Sequence, residues 1–127
     1  MALAKLAGLH PEVKAAAELC LSWAKYYGLD VTVTSGHRDL AKQTELRRQY
    51  ENCIARGETV WPGNPNPACR YPANRPGDSA HNYGMAFDST VPAGQQWAWD
   101  YLRRYAGFRV PENDLIHAEV PEWRHFV

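Results

Sequence analysis

The sequence predicts an α+β fold in which a small antiparallel sheet packs against three helices. Two observations predict this class. Apolar residues recur at helical spacing in three segments, and short runs rich in β-branched residues lie between them. The predicted order is helix, strand, helix, loop, then strands and a helix, which fits α+β architecture. A chain of 127 residues can bury one core, so we expect a single domain over residues 1–127.

The first predicted helix runs from Pro11 to Tyr27. Proline suits the first helical turn, and Gly28 provides a stop at the C-terminal end. Residues 30–35 are rich in valine and threonine and are predicted to form a strand that ends at Gly36. The helix is expected to bury a stripe of residues at helical spacing: Val13, Ala16, Ala17, Cys20, Ala24 and Tyr27.

A second helix is predicted to begin after Asp39, which can cap it, and to end near Arg56 before Gly57. Its expected inner face consists of Leu46, Tyr50, Cys53 and Ile54.

The segment from Gly57 to Asp78 contains five prolines interleaved with glycine and asparagine. This density excludes a regular helix or a central strand and predicts a long loop. Long loops in compact domains are usually functional or disordered. Because this loop leads directly into His81, we expect it to form a wall of a substrate cleft; a mobile surface insertion is the alternative.

The last third of the chain is predicted to contain a strand over residues 84–90, a helix over residues 93–106 and two closing strands. Trp97, Tyr101 and Tyr105 recur every four residues in that helix, and such a stripe is typical of a buried core. The closing strands are expected over residues 107–110 and 115–120.

The composition excludes several classes of function. The 14 basic and 14 acidic residues balance, so nothing indicates a nucleic-acid partner. No apolar run is long enough to span a membrane, and the N-terminus lacks a secretory signal pattern. We therefore expect synthesis in a cytoplasm.

Three cysteines are an odd number, which argues against a complete disulfide framework. Cys20 is expected to be a buried, small apolar residue of the first helix. Cys53 and Cys69 flank the proline-rich loop and could pair only after exposure to an oxidising compartment.

One stretch, residues 79–88, suggests a metal site. His81 and Asp88 lie seven positions apart, with Gly84 between them. Glycine allows a bend that could bring the two side chains together. An imidazole nitrogen and a carboxylate oxygen are ligands that zinc accepts in a tetrahedral shell. Two such ligands are weak support, because the pair could equally form a structural hydrogen bond.

The C-terminal segment offers further groups. His117 is a candidate third zinc ligand, and Asp114 is a candidate general base that would activate water. Glu119 is a competing base, since it shares the face of His117 in a regular strand. Glu122 and His125 repeat the same three-residue spacing further along the chain.

Arg38 follows the first predicted strand. Its guanidinium could bind a substrate carboxylate or a developing oxyanion through paired hydrogen bonds. A solvent-exposed arginine at a helix start is the commoner case.

These residues resemble those of the LAS metallopeptidases, a family of zinc D-Ala-D-Ala carboxypeptidases, D-Ala-D-Ala dipeptidases and phage L-alanyl-D-glutamate endolysin peptidases. The family pattern S-x-H-x-x-G-x-A-x-D is matched by Ser79, His81, Gly84, Ala86 and Asp88. The pattern S-G-x-R-x-x-x-x-Q is matched by Ser35, Gly36, Arg38 and Gln43. Residues 114–119 resemble the endolysin element D-x-P-H-F-E, from which Ile116 and Ala118 depart.

The resemblance implies an LAS fold, shared with hedgehog proteins, and a Zn²⁺ cofactor. It implies that Asp114 is the base and that Arg38 is the transition-state or carboxylate anchor. It also implies that Ser79 and Gln43 lie among the substrate-binding residues. The implied zinc ligands are His81, Asp88 and His117; if His125 were the third ligand instead, Glu122 would be the base.

The resemblance implies a peptidase that cleaves the stem peptides of bacterial peptidoglycan, most like a phage endolysin L-alanyl-D-glutamate endopeptidase. A D-Ala-D-Ala carboxypeptidase or dipeptidase is the alternative. We expect a monomer that is made in the cytoplasm, of the host if the protein is phage-borne, and acts on the cell wall after release. A different class is a non-catalytic, zinc-stabilised binding module like that of hedgehog proteins, which would tolerate loss of the base.

Overall fold

The computed structural model describes residues 2–127, so Met1 of the expected domain lies outside the described residues. The helices are α1 (Ala2–Lys5), α2 (Pro11–Tyr26), α3 (Leu40–Ala55) and α4 (Gln96–Tyr105), and the strands are β1 (Thr32–Ser35), β2 (Ala86–Thr90) and β3 (His117–Glu119). The three longer helices were predicted, whereas the short α1 was not. Asp39 caps α3 as expected, with its carboxylate accepting a hydrogen bond from the Lys42 amide at 2.7 Å.

The three strands form one antiparallel sheet in the order β1-β2-β3, which confirms the α+β class. The register places Ser35 opposite Asp88, and Asp88 opposite His117. Directly opposed residues in an antiparallel pair project on the same face of the sheet. The register therefore collects polar side chains from three distant parts of the chain on one face.

The other face of the sheet belongs to the hydrophobic core. Phe87 and Ala118 alternate with the polar positions on β2 and β3 and are fully buried. They share one cluster with the buried residues of α2, namely Val13, Ala17, Cys20 and Ala24, and with Trp99 and Leu102 of α4. The sheet thus separates a helix-covered core from an open polar face.

The prediction that Trp97, Tyr101 and Tyr105 are core residues is wrong. Their exposed fractions are 76%, 63% and 71%. The buried face of α4 instead carries Trp99 and Arg103, both fully buried. Helix α4 carries aromatic residues on two faces. Because the charged Arg103 lies on the buried face, the exposed face is the more apolar one by composition. Arg103 can be buried because it pairs with Asp100 and donates to backbone carbonyls.

Two smaller expectations were also wrong. Tyr27 is 66% exposed, because it lies beyond the last turn of α2 as its C-terminal cap. Ile54 is 53% exposed, because α3 packs mainly against the short turn Pro67–Cys69 and turns only a narrow face inward. Gln43 and Cys53 form the buried part of that face.

The proline-rich loop has a defined path. A 3₁₀ turn, Pro67–Cys69, lies against α3, and Cys53 and Cys69 form a disulfide bond. Cys20 is a free thiol in the core, as expected.

The C-terminal closing strands are shorter than expected. β3 contains three residues, and the segment 107–110 contributes a single bridge between Arg109 and Glu119. Leu115 and Ile116, which were expected in the second closing strand, lie in a turn, and Asp114 precedes them outside the strand as expected. No helix within residues 2–127 has the length and apolar character needed to cross a membrane.

Candidate metal centre and active site

His81 lies on a 3₁₀ turn, Ala80–Tyr83, that precedes β2. Ser79 caps this turn, and its hydroxyl accepts a hydrogen bond from the His81 amide at 3.3 Å. Gly84 ends the turn with φ of 70°, which favours glycine, and an added Cβ would lie 2.8 Å from the His10 amide nitrogen. The bend expected at Gly84 is confirmed.

The ring of His81 is oriented by the backbone of Gly36. Nδ1 lies 2.8 Å from the Gly36 carbonyl oxygen, which can only accept a hydrogen bond, so the proton is on Nδ1 and the lone pair is on Nε2. A Cβ at residue 36 would collide with the Lys5 carbonyl oxygen. Glycine is therefore required at residue 36, where the end of α1 approaches the segment after β1.

His117 is oriented in the complementary way. Its Nε2 lies 2.7 Å from Oε1 of Glu119, which is two residues away on the same face of β3. A carboxylate accepts, so Nε2 keeps its proton, and loss of the second ring proton leaves a lone pair on Nδ1. That lone pair faces His81 and Asp88.

Three donor atoms meet at this point. Asp88 Oδ1 lies 3.1 Å from His81 Nε2 and 3.3 Å from His117 Nδ1, and the two imidazole nitrogens lie 3.2 Å apart. Two lone pairs that face one another at this distance repel unless a cation lies between them. Donors about 2.0–2.1 Å from a tetrahedral zinc ion lie about 3.3 Å apart, so the site fits zinc.

The charges around the site favour a cation. Burial raises the pKa of Asp88, but hydrogen bonds from His117 and His81 outweigh it and hold this pKa below its usual range. Burial likewise raises the pKa of Glu119, but the hydrogen bond from His117 and the charge of Arg109 leave it lowered. Asp88 and Glu119 are therefore both ionised at neutral pH.

Arg38 lies beside this cluster. Its backbone amide donates to the His81 carbonyl at 3.0 Å, and its Nη2 lies 3.4 Å from Asp88 Oδ2 and 3.3 Å from the Ser35 hydroxyl. Nη1 donates to Gln43 Oε1 at 3.0 Å. Only 14% of the side chain is exposed, so the alternative of a solvent-exposed arginine at a helix start is wrong.

Gln43 and Ser79 both line the cleft, but their polar atoms have protein partners. Besides accepting from Arg38, Gln43 donates to the Asn74 carbonyl at 2.7 Å. It thus connects Arg38 to the proline-rich loop. The hydroxyl of Ser79 caps the His81 turn. In this geometry both residues orient the site.

Asp114 lines the same cleft from the turn before β3. Its Oδ1 is buried without a hydrogen-bond partner among residues 2–127. Burial raises the pKa of Asp114, although His117 opposes this effect. A desolvated carboxylate with a raised pKa is a better proton acceptor than one in bulk water.

The cleft has a volume of about 380 Å³. The proline-rich loop lines this cleft with Pro67, Ala68 and Tyr71, and Arg109 and Ile116 line it from the C-terminal part of the chain. The expectation that the loop borders a cleft is confirmed.

The competing pair Glu122 and His125 lies elsewhere. Their side chains are 79% and 74% exposed and are 3.9 Å apart. Neither belongs to a metal-compatible group of side chains within the described part of the chain, whereas His81, Asp88 and His117 form one.

Two groups that orient the site were not predicted from the sequence. The Gly36 carbonyl could not be inferred, because a backbone contact across 45 residues leaves no signal in a single sequence. Arg103 donates to the carbonyls of Leu115 and Ile116, the two residues between Asp114 and His117. The sequence signal for this role of Arg103 was its place on the same predicted helix as Trp99.

Comparison with known proteins agrees with this geometry. The model of the VanY D-alanyl-D-alanine carboxypeptidase family matches residues 7–108. Comparison with curated protein sequences gives no significant match.

Three solved structures illustrate the shared fold. The vancomycin-resistance D,D-pentapeptidase VanY of a VanB-type cassette, solved with Zn(II), has a TM-score of 0.64 at 19% identity over 92% of this chain and 78% of that chain. The L,D-carboxypeptidase DacB of Streptococcus pneumoniae has a TM-score of 0.65 at 22% identity over 89% of this chain and 66% of that chain. The L-Ala D-Glu endopeptidase ChiX of Serratia marcescens has a TM-score of 0.55 at 19% identity over 98% of this chain and 89% of that chain.

The family match spans most of the chain and includes the segments that carry Arg38, His81 and Asp88. It confirms the resemblance to LAS zinc metallopeptidases and disfavours the non-catalytic binding module. The chain belongs to the VanY D-alanyl-D-alanine carboxypeptidase family.

Proposed function

We propose that the protein is a zinc-dependent peptidase that hydrolyses the stem peptides of bacterial peptidoglycan. The observation that carries this proposal is the convergence of His81, Asp88 and His117 in one cleft with an arginine and a buried carboxylate. Solved proteins of the same fold are described as a D,D-pentapeptidase, an L,D-carboxypeptidase and an L-Ala D-Glu endopeptidase. The names of all three activities specify a D-configured residue.

Each group of residues in the site has a distinct chemical role. Zinc held by His81, Asp88 and His117 would supply Lewis acidity toward the substrate carbonyl and lower the pKa of water at the site. Asp114 accepts a proton from the attacking water and passes it to the leaving amine. Arg38, aligned by Gln43 and Ser35, donates to the oxygen that becomes negatively charged.

Within this class we favour cleavage of the L-alanyl-D-glutamate bond. The support is the aspartate three residues before His117, which resembles the endolysin element, and the high mutual coverage with the L-Ala D-Glu endopeptidase ChiX. On this reading the protein is a monomeric phage-type endolysin, made in a host cytoplasm, that reaches the wall after release.

The second candidate is a D-Ala-D-Ala carboxypeptidase or dipeptidase. The match to the VanY family model favours it. In this case Arg38 would bind the free C-terminal carboxylate of the substrate through its forked donors.

Digestion of purified peptidoglycan followed by mass spectrometry of the fragments distinguishes the two. An endopeptidase releases intact peptides that begin with D-glutamate, whereas a carboxypeptidase shortens pentapeptide stems by one D-alanine and a dipeptidase releases D-alanine from free D-Ala-D-Ala. The His81→Ala variant serves as the inactive control. Zinc-loaded wild-type protein that cleaves neither peptidoglycan nor D-Ala-D-Ala would contradict the proposal.

A further inference from the structure

The environment of Glu119 assigns a role to this residue that neither the family match nor the motif pattern provides. Glu119 lies on β3 with its carboxylate between two cationic or proton-donating groups. Oε1 faces His117 Nε2 at 2.7 Å, and Oε2 faces Arg109 Nη1 at 3.4 Å. The side chains of His117 and Glu119 are 13% and 16% exposed.

The position of this carboxylate excludes it from direct contact with a metal at the cluster. The metal-facing nitrogen of His117 is Nδ1, which lies toward His81 and Asp88. Glu119 contacts the other ring nitrogen, on the opposite side of the imidazole. The sequence alone left Glu119 open as a competing base, and its place behind the ring removes it from the reacting atoms.

The backbone of Glu119 is also held by hydrogen bonds. The Arg109 amide donates to the Glu119 carbonyl at 2.8 Å, and the Glu119 amide donates to the Arg109 carbonyl at 3.0 Å. On its other edge, β3 pairs with β2, where Ala86 lies opposite Glu119. The backbone of Glu119 is thus held on both edges of β3, the strand that also carries His117.

We propose that Glu119 is a positioning residue that fixes the tautomer and ring orientation of His117, and that Arg109 holds and partly neutralises Glu119 from the rim of the cleft. A carboxylate that accepts the Nε2 proton leaves the Nδ1 lone pair toward the metal and increases the basicity of the ring. Without this acceptor, His117 is free to carry its proton on Nδ1 and to rotate.

The inference rests on the proposed metal site, but it does not depend on which peptide bond is cleaved. Its central measurement is the dissociation constant for zinc, determined by competition with a chromophoric chelator. Partners of metal-bound histidines typically change metal affinity by about 10- to 100-fold when removed.

We expect Glu119→Met, which removes the acceptor, to weaken zinc binding about 10- to 100-fold. Glu119→Gln keeps an acceptor oxygen but loses the charge, so its affinity should fall between those of Glu119→Met and wild type. Arg109→Met should cause a smaller loss than either. Glu122→Gln is the matched control, since this exposed glutamate lies three residues further along and should leave the affinity unchanged.

Two further measurements separate positioning from a structural or catalytic role. Above pH 9, where the His117 ring of the metal-free protein is neutral, its ¹⁵N chemical shifts should show loss of the Nε2-protonated tautomer in Glu119→Met. The unfolding midpoint of the same variant shows whether the fold is intact. At saturating zinc, turnover of Glu119→Gln should return to within about tenfold of wild type, because a general base would cost at least about 100-fold.

Zinc affinity of Glu119→Met and Glu119→Gln within twofold of wild type would overturn the proposal, as would turnover that saturating zinc fails to restore. His81→Ala separates this outcome from failure of the metal site. If His81→Ala loses zinc and the Glu119 variants do not, only the role of Glu119 is wrong. If His81→Ala also retains zinc, the metal site itself is wrong.

Discussion

Asp114 has a buried carboxylate oxygen without a hydrogen-bond partner, and Arg103 Nε is the other such side-chain atom within residues 2–127. Unpaired buried acceptors are costly, and they persist where function requires them. The carboxylate lines the cleft together with His81, Asp88 and His117. This combination is expected of a group whose partner in the working enzyme is water or the leaving amine.

We predict that Asp114→Asn lowers turnover by about 100-fold or more, because an amide cannot accept the proton. Zinc content should remain near one ion per chain, since the three donors are unchanged. Steady-state kinetics and elemental analysis of the same preparation test both statements.

Glu122→Gln and His125→Ala are the comparison variants and should leave turnover and zinc content near wild type. A dead Glu122→Gln together with an active Asp114→Asn would show that the base lies in the C-terminal pair.

Arg38→Lys tests the fork of the guanidinium. Lysine keeps the positive charge but cannot contact Gln43, Ser35 and the substrate at once. If Arg38 stabilises the oxyanion, kcat should fall with little change in KM; if it binds a ground-state carboxylate, KM should rise. Unaltered kinetics with every cell-wall peptide tested would remove Arg38 from the site.

At the scale of the elements, the cleft is built between a rigid sheet and a loop attached to α3. The disulfide between Cys53 and Cys69 joins this loop to α3 next to Pro67 and Ala68, which line the cleft. The loop is attached a second time where Gln43 and Arg47 of α3 donate to the carbonyls of Asn74 and Ala73. Substrate affinity should therefore depend on this attachment more than zinc affinity does.

We predict that the double variant Cys53→Ala/Cys69→Ala raises KM while zinc affinity stays unchanged. The closed loop spans a sequence separation of 16 residues. Chain entropy for a loop of this length predicts a loss of about 3 kcal/mol in the free energy of unfolding. Denaturant unfolding and steady-state kinetics measure the two effects.

Cys20→Ala is the matched control, because this thiol is buried in the core under α4 and does not border the cleft. It should lower stability without a change in KM. An unchanged KM in the double variant would show that α3 and its hydrogen bonds hold the wall without the disulfide.

At the scale of the whole molecule, three segments that are far apart in the chain meet in one row across the sheet. β1 carries the turn to Arg38, β2 carries Asp88, and β3 carries His117. Arg103 stabilises this arrangement from behind, since its buried guanidinium pairs with Asp100 and donates to the carbonyls of the segment that leads into β3. The candidate metal ligands therefore come together only when the three strands are paired.

The protonation state of His117 predicts that zinc binding releases a proton. In the metal-free protein, burial lowers the pKa of His117, but Asp88 and Glu119 outweigh it and raise the pKa to about 9. A raised pKa means that His117 carries its proton below pH 9 and loses it above, so zinc must displace about one proton at pH 7. Apparent zinc affinity should rise with pH up to about 9 and then level off.

Calorimetric titration in buffers of different ionisation enthalpy measures the released proton. His117→Gln should abolish the release, whereas His125→Ala should not. Zinc binding at pH 7 without proton uptake by the buffer would contradict the prediction.

Local patterns in the sequence determined much of this protein. Helix ends were marked by Pro11, Asp39 and glycines, and the α+β class followed from the order of the elements. The spacing of His81, Gly84 and Asp88 suggested two candidate ligands, because glycine allows a bend between them, and the structure places both beside His117.

Tertiary structure alone decided the features that depend on distant contacts. Helical periodicity identified two aromatic faces on α4, but only packing against the sheet and the Asp100–Arg103 pair decided which face is buried. Strand parity placed Glu119 and His117 on one face, but only the register with β2 turned Nδ1 toward Asp88 and left Nε2 to Glu119. Side-chain spacing is a local property, whereas register and burial result from contacts across 29 to 82 residues. A single sequence therefore names the ligands of this site more readily than the residues that orient them.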